Sequence, residues 1–480
     1  SSPMATLTDK WAAGGRKNMF GQPVTLTEMQ SEAGAIGAVH GAIQTGALTT
    51  SYTSSQGLML MIPVLYRIAG ERQPAVLHVA ARTVGTHAMS IFGDHSDVMA
   101  CRDTGWAQYC TASVQEVIDL TPVAHLAAME SNIPFMHFFD GFRTSHEINK
   151  VEVPDIDAVI KLMNPKYVKA HKDRALNPEH PTLRNTVQNP DVYFQVRESN
   201  NWDYEKLPDI VEKYFHKINK LTGRDYQLFN YYGDPQATDV IVAMGSVTGA
   251  IQQTIDTLMA QGRKVGYVQV HLYRPFSEKH LWQAMPETVE RIAVLDRSKC
   301  MGNGGEPLYQ DICTAVLRAG WDIDVIGGRY GLSSKDTNPA QIAAVYDNLA
   351  SDDPIDCRWT RILIFSMISL AANSGGWAAM AQSAPIRAPL ILSTAPPIST
   401  DRRTSNMMPK RRWGRPSLTC ASARTRFAVP TMSSRQISSP VTTIISSTTS
   451  RWWMKSSRTE RSFWTVPGRP RKWETTSHRR

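Results

Sequence analysis

Cysteine is scarce in this 480-residue chain, and several features typical of secreted or membrane proteins are missing. Its six cysteines include no Cys-x-x-Cys pair, which argues against a disulfide scaffold and a zinc ribbon. No apolar run reaches the ~18 residues of a membrane-spanning helix. The opening SSPMATLTDKWAAGG lacks the basic and then apolar order of a secretory signal. These absences predict a chain without a membrane span in a reducing, intracellular compartment.

The net charge of +9 is distributed unevenly. Of 52 Lys and Arg residues and 43 Asp and Glu residues, 21 and 4 respectively lie from Ile355 onward. The first 354 residues therefore hold 31 basic and 39 acidic side chains, a net charge of −8. A mildly acidic body is followed by a basic tail, which carries seven of the twelve tryptophans and no tyrosine.

Strand-sized and helix-sized segments alternate along the body. In the first unit the patterns predict helices over 27–46, 55–70 and 119–131, with strands over 75–82 and 134–140. Proline-containing residues 151–229 predict irregular helices and loops wrapped on this sheet. The second unit predicts strands over 239–246, 264–273, 291–298 and 322–328, with helices over 249–262 and 307–318. This order predicts an α/β protein with two parallel sheets covered by helices.

Two charged residues of the first unit have both a structural and a chemical interpretation. Glu32 stands among small, apolar residues at a helix start, where a glutamate is most often solvated or a cap. Arg82 closes a buried strand, where arginine either pairs with a carboxylate or binds an anionic ligand. On the residues alone, the structural interpretation is favoured for both.

The other candidates are weaker. His87 and His95, with Asp94 beside the second, have no third ligand at matching spacing, so loop or core positions are favoured over a metal site. Gly302–Gly305 precedes a helix and suits either a phosphate cradle or, more simply, a flexible turn. The cysteines of the body, Cys101, Cys110, Cys300 and Cys313, fit small core residues better than ligands.

Long stretches of the body resemble pyruvate:ferredoxin oxidoreductase. They include TEMQSEAGAIGAVHGAIQTGALTTSYTSSQGLMLMIP, LHVAARTVGTHAMSIFGDHSDV and ESNIPFMHFFDGFRTSHE, and continue through HLYRPF and AVLDRSK to VYDNLASDDP. The resemblance implies a thiamine diphosphate pyrimidine-binding domain over 1–229 and a transketolase C-terminal-like domain over 230–352. It implies oxidative decarboxylation of pyruvate to acetyl-CoA, with electrons passed to ferredoxin or flavodoxin.

The resemblance also implies roles for particular residues. Glu32, in SEAG, matches the glutamate that bonds the aminopyrimidine of the cofactor, and Arg82 matches an arginine near the substrate carboxylate. Ser55, Gln56 and Gly57 match a loop close to the cofactor. The run MSIFGDH favours pyruvate over 2-oxoglutarate or indolepyruvate, the substrates of related oxidoreductases.

Other parts of the family's machinery are expected elsewhere. Its substrate-contacting threonine belongs to a strand and turn preceding the match to Ser1, and its Mg²⁺, 4Fe-4S clusters and diphosphate-binding domain belong to other domains. Coenzyme A is the implied co-substrate, and a homodimer is the implied state of the complete protein. The family implies the cytoplasm or, in a eukaryote, a hydrogenosome-like organelle. This chain alone is expected to be inactive.

The basic tail, 355–480, has three interpretations. Arginine with interleaved aromatics suits a nucleic-acid-binding arm, and the composition also suits a disordered segment. A shifted reading frame explains more. Skipping two nucleotides permits family-like peptides, in family order, from four starting points: Asn373, Cys420, Arg435 and Arg458. On this hypothesis the tail is a non-native sequence whose arginines reflect no selection for nucleic acid, and it has no designed core.

The shifted-frame hypothesis makes a prediction about the reading frame of the messenger RNA. We expect sequencing of the transcript across the codons for Leu349 to Trp377 to restore the family's reading frame. A transcript that keeps the frame of the printed sequence would contradict the hypothesis that the tail results from a wrong splice or a wrong join in the gene model. Salt-dependent nucleic-acid binding lost on deleting 355–480 would then support the basic-arm interpretation.

Overall fold

The computed structural model describes residues 2–356 and, by their backbone, residues 441–446; the remainder of the predicted tail lies outside the described residues. The strands are β1 (Val24–Met29), β2 (Thr49–Thr53), β3 (Ala75–Ala81), β4 (Ala107–Thr111), β5 (Phe135–Asp140), β6 (Phe229–Gly233), β7 (Asp239–Ala243), β8 (Val265–Val270), β9 (Leu272–Arg274), β10 (Arg291–Asp296), β11 (Asp324–Arg329) and β12 (Val441–Ser446). The helices are α1 (Ser2–Ala13), α2 (Glu32–Gln44), α3 (Ser55–Gly70), α4 (Ser96–Ala100), α5 (Val114–Ser131), α6 (Ile156–Ile160), α7 (Pro165–Asp173), α8 (Pro190–Glu198), α9 (Asn201–Thr222), α10 (Thr248–Ala260), α11 (Glu278–Ala284), α12 (Pro307–Ala319) and α13 (Pro339–Leu349). Within the described chain, no helix has the length and hydropathy to cross a membrane.

The first sheet has the strand order β1-β12-β2-β3-β5-β4-β9. Strands β2, β3, β5 and β4 are parallel, and β3 and β5 are buried along their whole length, as is usual for parallel strands covered by helices. In contrast, β12 and β9 run antiparallel to their neighbours. The sheet is therefore mixed rather than wholly parallel, and six residues of the tail supply its second strand.

The second sheet confirms the alternation predicted for the second unit. Its order is β11-β10-β7-β8-β6, in which the first four strands are parallel and β6 is an antiparallel edge. Ile251 and Ile255 of α10 pack with Ile342 of α13 in one apolar cluster. Leu308 and Ile312 of α12 belong to a second cluster, which is continuous with the core of the first sheet. The α/β class is thus confirmed for the body.

The first predicted helix begins later than its sequence pattern suggests. Thr27–Met29, predicted as helical, are the end of β1, and the helix starts at Glu32. Ser31 decides the boundary because its extended backbone places the side-chain oxygen to accept a hydrogen bond from the Ala33 N–H, at 3.3 Å. This N-cap satisfies a backbone donor that the first helical turn leaves free.

The strand predicted over 264–273 also differs, because it is divided between the two sheets. β8 lies in the second sheet, whereas β9, after His271, pairs with β4 in the first. The His271 N–H donates to the Leu228 carbonyl, and the Cys110 N–H donates to the His271 carbonyl at 2.7 Å. His271 is therefore the point at which the chain passes from one sheet to the other.

Residues 151–229 form short helices and loops, as predicted, and end in the long helix α9. Its apolar side packs against α5 of the first unit. The Tyr214 hydroxyl donates to the Glu130 carboxylate at 2.7 Å, and Lys213 forms an ion pair with the same carboxylate. This helix therefore joins the intervening segment to the first unit.

A buried charge cluster connects the ends of the two sheets. Asp140, the last residue of β5, is 1% exposed and forms an ion pair with Arg297, which follows β10 and is 4% exposed. The backbone N–H of Ser246, after β7, donates to Asp140 at 2.7 Å, and Nε2 of His95 lies 2.6 Å from its other oxygen. Burial raises the pKa of Asp140, but the Arg297 charge and the hydrogen bond with His95 outweigh it and hold the pKa well below its usual range.

Loss of this carboxylate should destabilise the whole body. We expect Asp140→Asn to lower the free energy of unfolding by about 3–5 kcal/mol, because Arg297 would keep a buried, uncompensated charge. The wild-type advantage should diminish as the pH falls below about 4, where the Asp140 of the unfolded chain becomes protonated. Urea unfolding monitored by circular dichroism measures both effects.

The matched control is Asp336→Asn, which breaks the ion pair of Arg143 with an aspartate that is 86% exposed. A surface pair of this kind contributes about 0–1 kcal/mol. Equal losses in the two variants would contradict the role assigned to Asp140.

Candidate functional site

The predicted site residues gather at the carboxyl ends of β2 and β3, the edge at which parallel α/β sheets usually bind ligands. Glu32 is the first residue of α2, where the partial positive charge of a helix N-terminus favours a carboxylate. It is partly exposed, and within the described part of the chain no hydrogen bond or ion pair engages its carboxylate. Its acceptor oxygens are therefore available to a ligand.

Gly57 lies directly against Glu32. A Cβ atom on Gly57 would stand 2.7 Å from Cγ and 2.8 Å from Oε1 of Glu32, closer than real contacts allow. Glycine at this position lets the first turn of α3 pass beside the carboxylate. The structure thus brings together two residues that are 25 positions apart in the sequence and that the resemblance places at one site.

Ser55 starts α3 with a left-handed backbone, φ +53°. Its N–H donates to Oδ2 of Asp97 at 2.7 Å, and its hydroxyl donates to the Thr83 carbonyl. The Gln56 amide packs so closely on Gly85 that a Cβ there would be 2.6 Å from Nε2. The Ser55–Gly57 loop is therefore held against the segment that follows β3.

Arg82 is the first residue after β3 and is partly exposed. Its backbone N–H donates to Oδ2 of Asp97 at 3.0 Å, and its Nε donates to the Ile91 carbonyl at 2.6 Å. The guanidinium carbon lies 5.1 Å from the ring centre of Phe142. Burial lowers the pKa of Arg82, but its guanidinium remains a cation at any physiological pH.

Asp97 connects these two parts of the site, and sequence reasoning missed it. One of its oxygens accepts the N–H groups of both Ser55 and Arg82, and the side chain is fully buried. Burial raises the pKa of Asp97 to about 7, although the donated N–H groups lower it in part. The only signal in the sequence is a second aspartate in GDHSD, which resembles an ordinary polar loop.

The remaining candidates lie apart from this site or belong to its supports. His95 is buried beside Asp140, as a core histidine, whereas His87 is exposed and contacts Thr86. Asp94 accepts the Ser96 N–H at 2.9 Å. Cys101 and Cys110 are buried, while Cys300 and Cys313 are half-buried, and these four are unpaired.

The glycine-rich turn at Gly302–Gly305 precedes α12, but the start of that helix already has an anion. The carboxylate of Asp296 accepts the N–H groups of Leu308 and Tyr309, each at 3.1 Å. Glu306 accepts the Cys300 N–H at 2.7 Å. Asp296 thus already accepts N–H groups that a phosphate at this helix start would use, so the structure favours the turn interpretation.

Two family models match successive regions of the chain. Residues 1–216 match the thiamine diphosphate-binding domain of pyruvate flavodoxin/ferredoxin oxidoreductase, and residues 237–342 match core domain II of pyruvate:ferredoxin oxidoreductase. The chain belongs to the pyruvate:ferredoxin/flavodoxin oxidoreductase family. Glu32, the Ser55–Gly57 loop, Arg82 and Asp97 all lie in the thiamine diphosphate-binding domain.

Relatives place the match in the N-terminal 74% of the chain. The pyruvate:ferredoxin oxidoreductase of Moorella thermoacetica is 55% identical over 354 residues, which are 74% of this chain and 30% of that protein. The pyruvate-flavodoxin oxidoreductase of Klebsiella pneumoniae is 55% identical over 356 residues, with the same coverages. A 2-oxoglutarate:ferredoxin oxidoreductase structure from Magnetococcus marinus has a TM-score of 0.46 and 16% identity, covering 65% of this chain and 55% of that chain. The chain spans about 30% of the length of these curated relatives.

Asp97 should make the stability of this site depend on pH. Its pKa is about 7 in the folded chain against an ordinary 3.8, so the folded state keeps a proton that the unfolded state has lost. This contribution therefore falls as the pH rises from about 4 to about 7, by at most about 4 kcal/mol, and is constant above that range. We expect Asp97→Asn to remove this slope, as measured by urea unfolding between pH 4.5 and 8.5.

The comparison is the difference between the wild-type and variant curves, because other groups titrate in both proteins. Asp103→Asn is the control, since its side chain is 71% exposed. If the Asp97→Asn and wild-type curves stay parallel across this range, Asp97 does not carry the proton.

Proposed function

We propose that this chain supplies the pyrimidine-binding half of the thiamine diphosphate site in a pyruvate:ferredoxin or flavodoxin oxidoreductase. The observation that supports this proposal is that the Glu32 carboxylate lies against Gly57 and that its oxygens have no hydrogen-bond partner among the described residues. The complete reaction is oxidative decarboxylation of pyruvate to acetyl-CoA. The domain boundaries 1–229 and 230–352 and an intracellular location belong to the same proposal.

The residues present fit this half of the cofactor. The absence of a side chain on Gly57 leaves room for the Glu32 carboxylate at this point. The buried Thr53 hydroxyl at the end of β2 has no hydrogen-bond partner among the described residues. When bound, thiamine diphosphate supplies the electron sink for decarboxylation of a 2-oxoacid. Glu32 would hold or move a proton at a ring nitrogen of the pyrimidine, which needs a carboxylate within hydrogen-bond reach.

Arg82 would bind the carboxylate of the substrate. Its Nε is engaged by Ile91, while its terminal nitrogens have no hydrogen-bond partner among the described residues. Those nitrogens suit a planar anion because they can donate two parallel hydrogen bonds. Ser55 and Gln56 would line the cofactor, and Asp97 would position Ser55 and Arg82 relative to each other.

The other requirements of the reaction fall to the portion of the relatives that this chain does not span. These requirements are Mg²⁺ with the diphosphate-binding domain, the 4Fe-4S clusters, coenzyme A binding and docking of ferredoxin or flavodoxin. The homodimer is likewise proposed for the complete protein. This division agrees with a chain that covers 30% of its relatives.

A chimera tests the proposed activity. Residues 1–354 of this chain would replace the matching 354 residues of the Moorella thermoacetica enzyme. We expect the purified chimera to reduce ferredoxin with pyruvate and coenzyme A. Glu32→Gln should lower kcat by about 100-fold or more, because a positioned proton-transfer group is lost. Arg82→Lys should raise KM for pyruvate about 10-fold, since a charged hydrogen bond is lost.

Two exposed residues provide matched controls: Glu28→Gln on β1 and Arg67→Lys on α3 should leave both constants unchanged. Full activity of a folded Glu32→Gln chimera would contradict the site. Parallel assays with 2-oxoglutarate and indolepyruvate test the substrate, and a preference for either would contradict pyruvate.

A further inference from the structure

Three metal-ligating side chains meet where α9 approaches α11. Asp209 and Glu212 lie three residues apart on α9, which places them on one face of the helix. His280 lies in the first turn of α11. One ligand atom from each residue lies within 4.8 Å of the other two. The proposed thiamine diphosphate site does not use these residues.

His280 is the unusual member of the group. Its side chain is 6% exposed, and Nε2 is buried without a hydrogen-bond partner. That nitrogen points at the two carboxylates, 3.6 Å from Oε2 of Glu212 and 3.8 Å from Oδ1 of Asp209. The other ring nitrogen, Nδ1, lies 2.7 Å from the hydroxyl of Ser277. An Nδ1–H donated to Ser277 leaves a lone pair on Nε2, as in many metal-bound histidines.

We propose that Asp209, Glu212 and His280 bind a divalent transition-metal ion of the zinc class. Ligand atoms at about 2.0–2.2 Å from tetrahedral Zn²⁺ stand on the order of 3.4 Å apart. The two distances from Nε2 of His280, 3.6 and 3.8 Å, are already close to this separation. Imidazole selects such ions over Mg²⁺ and Ca²⁺, which prefer oxygen ligands alone. Two carboxylates neutralise the ion, and solvent occupies its remaining position.

Lys279 competes with the ion for the same carboxylate. Its Nζ lies 3.2 Å from Oδ1 of Asp209, and both side chains are exposed, at 62% and 64%. An exposed ammonium on a flexible stem is readily displaced, so the ion pair weakens metal binding without preventing it. Removal of this lysine should therefore increase the affinity.

The bound ion would connect the two matched regions of the chain. α9 packs on α5 of the first unit and carries Asp209 and Glu212 within the first matched region. α11 follows β9, packs beside β6 and lies within the second matched region. A metal between them would act as a cross-link across the junction, and its role is independent of the thiamine site.

The test is titration of the metal-free full chain with Zn²⁺ by calorimetry and with Co²⁺ by its visible absorption. We expect His280→Gln, Asp209→Asn and Glu212→Gln each to weaken Zn²⁺ binding by about 10-fold or more. Lys279→Ala should tighten it several-fold. Because Asp209 and Glu212 are at the surface, their variants keep the test valid if His280→Gln disturbs folding.

The matched control is His216→Gln, an exposed histidine on the same helix. Unchanged binding in that variant supports the proposal. If His216→Gln abolishes binding while His280→Gln does not, the ion sits on α9 alone and the proposal is overturned. Equal affinity for Mg²⁺ and Zn²⁺, or no difference between the wild type and the His280→Gln variant, overturns it as well.

Discussion

The ion pair between Asp140 and Arg297 is the constraint on which the rest of the body depends. Asp140 ends β5 of the first sheet, Arg297 directly follows β10 of the second sheet, and both are almost fully buried. A buried charge without its partner is costly, so the pair restricts how the two sheets can face each other. Two hydrogen bonds of 2.8 Å hold the segment after β3 beside this pair: the His95 N–H donates to the Arg297 carbonyl, and the Gly93 N–H donates to the Ser334 hydroxyl.

Within the first unit, the buried Asp97 likewise connects two segments that are distant in the sequence. One carboxylate oxygen accepts backbone N–H groups from Ser55 at the start of α3 and from Arg82 at the end of β3. Asp97 therefore fixes the backbone of Arg82 relative to the backbone of Ser55, at the start of the Ser55–Gly57 loop. Gly57 in turn lies against Glu32, so one buried acid and one glycine link the candidate residues to each other.

The boundary between the two matched regions is structurally continuous. β9, from the second region, completes the edge of the first sheet, and α12 contributes to the apolar cluster of that sheet. The two regions thus share buried surface in addition to the Asp140 cluster. Such continuity suits the proposed half of a cofactor site, because rigid elements hold a binding geometry more precisely than loops do.

The sequence by itself determined the α/β class, the point at which the basic tail begins, the strands β3, β5, β7, β10 and β11, and the helices α2, α3, α5, α10 and α12. Its resemblance to a known family added the candidate residues Glu32 and Arg82. These depend on apolar periodicity and on local runs of residues, which are read within a few turns of chain. The sequence did not predict the start of α2 or the passage of the chain from one sheet to the other at His271. A capping hydrogen bond and a change of sheet leave the apolar pattern unchanged.

Only the tertiary structure decided which distant residues pair with each other. Asp140 and Arg297 are 157 residues apart, Ser55 and Asp97 are 42 apart, and no periodicity connects either pair. The insertion of β12 between β1 and β2 is likewise a pairing between the two extremes of the chain. A buried polar group needs a partner, but local sequence does not specify which distant residue provides it. Only the packed chain brings those residues together.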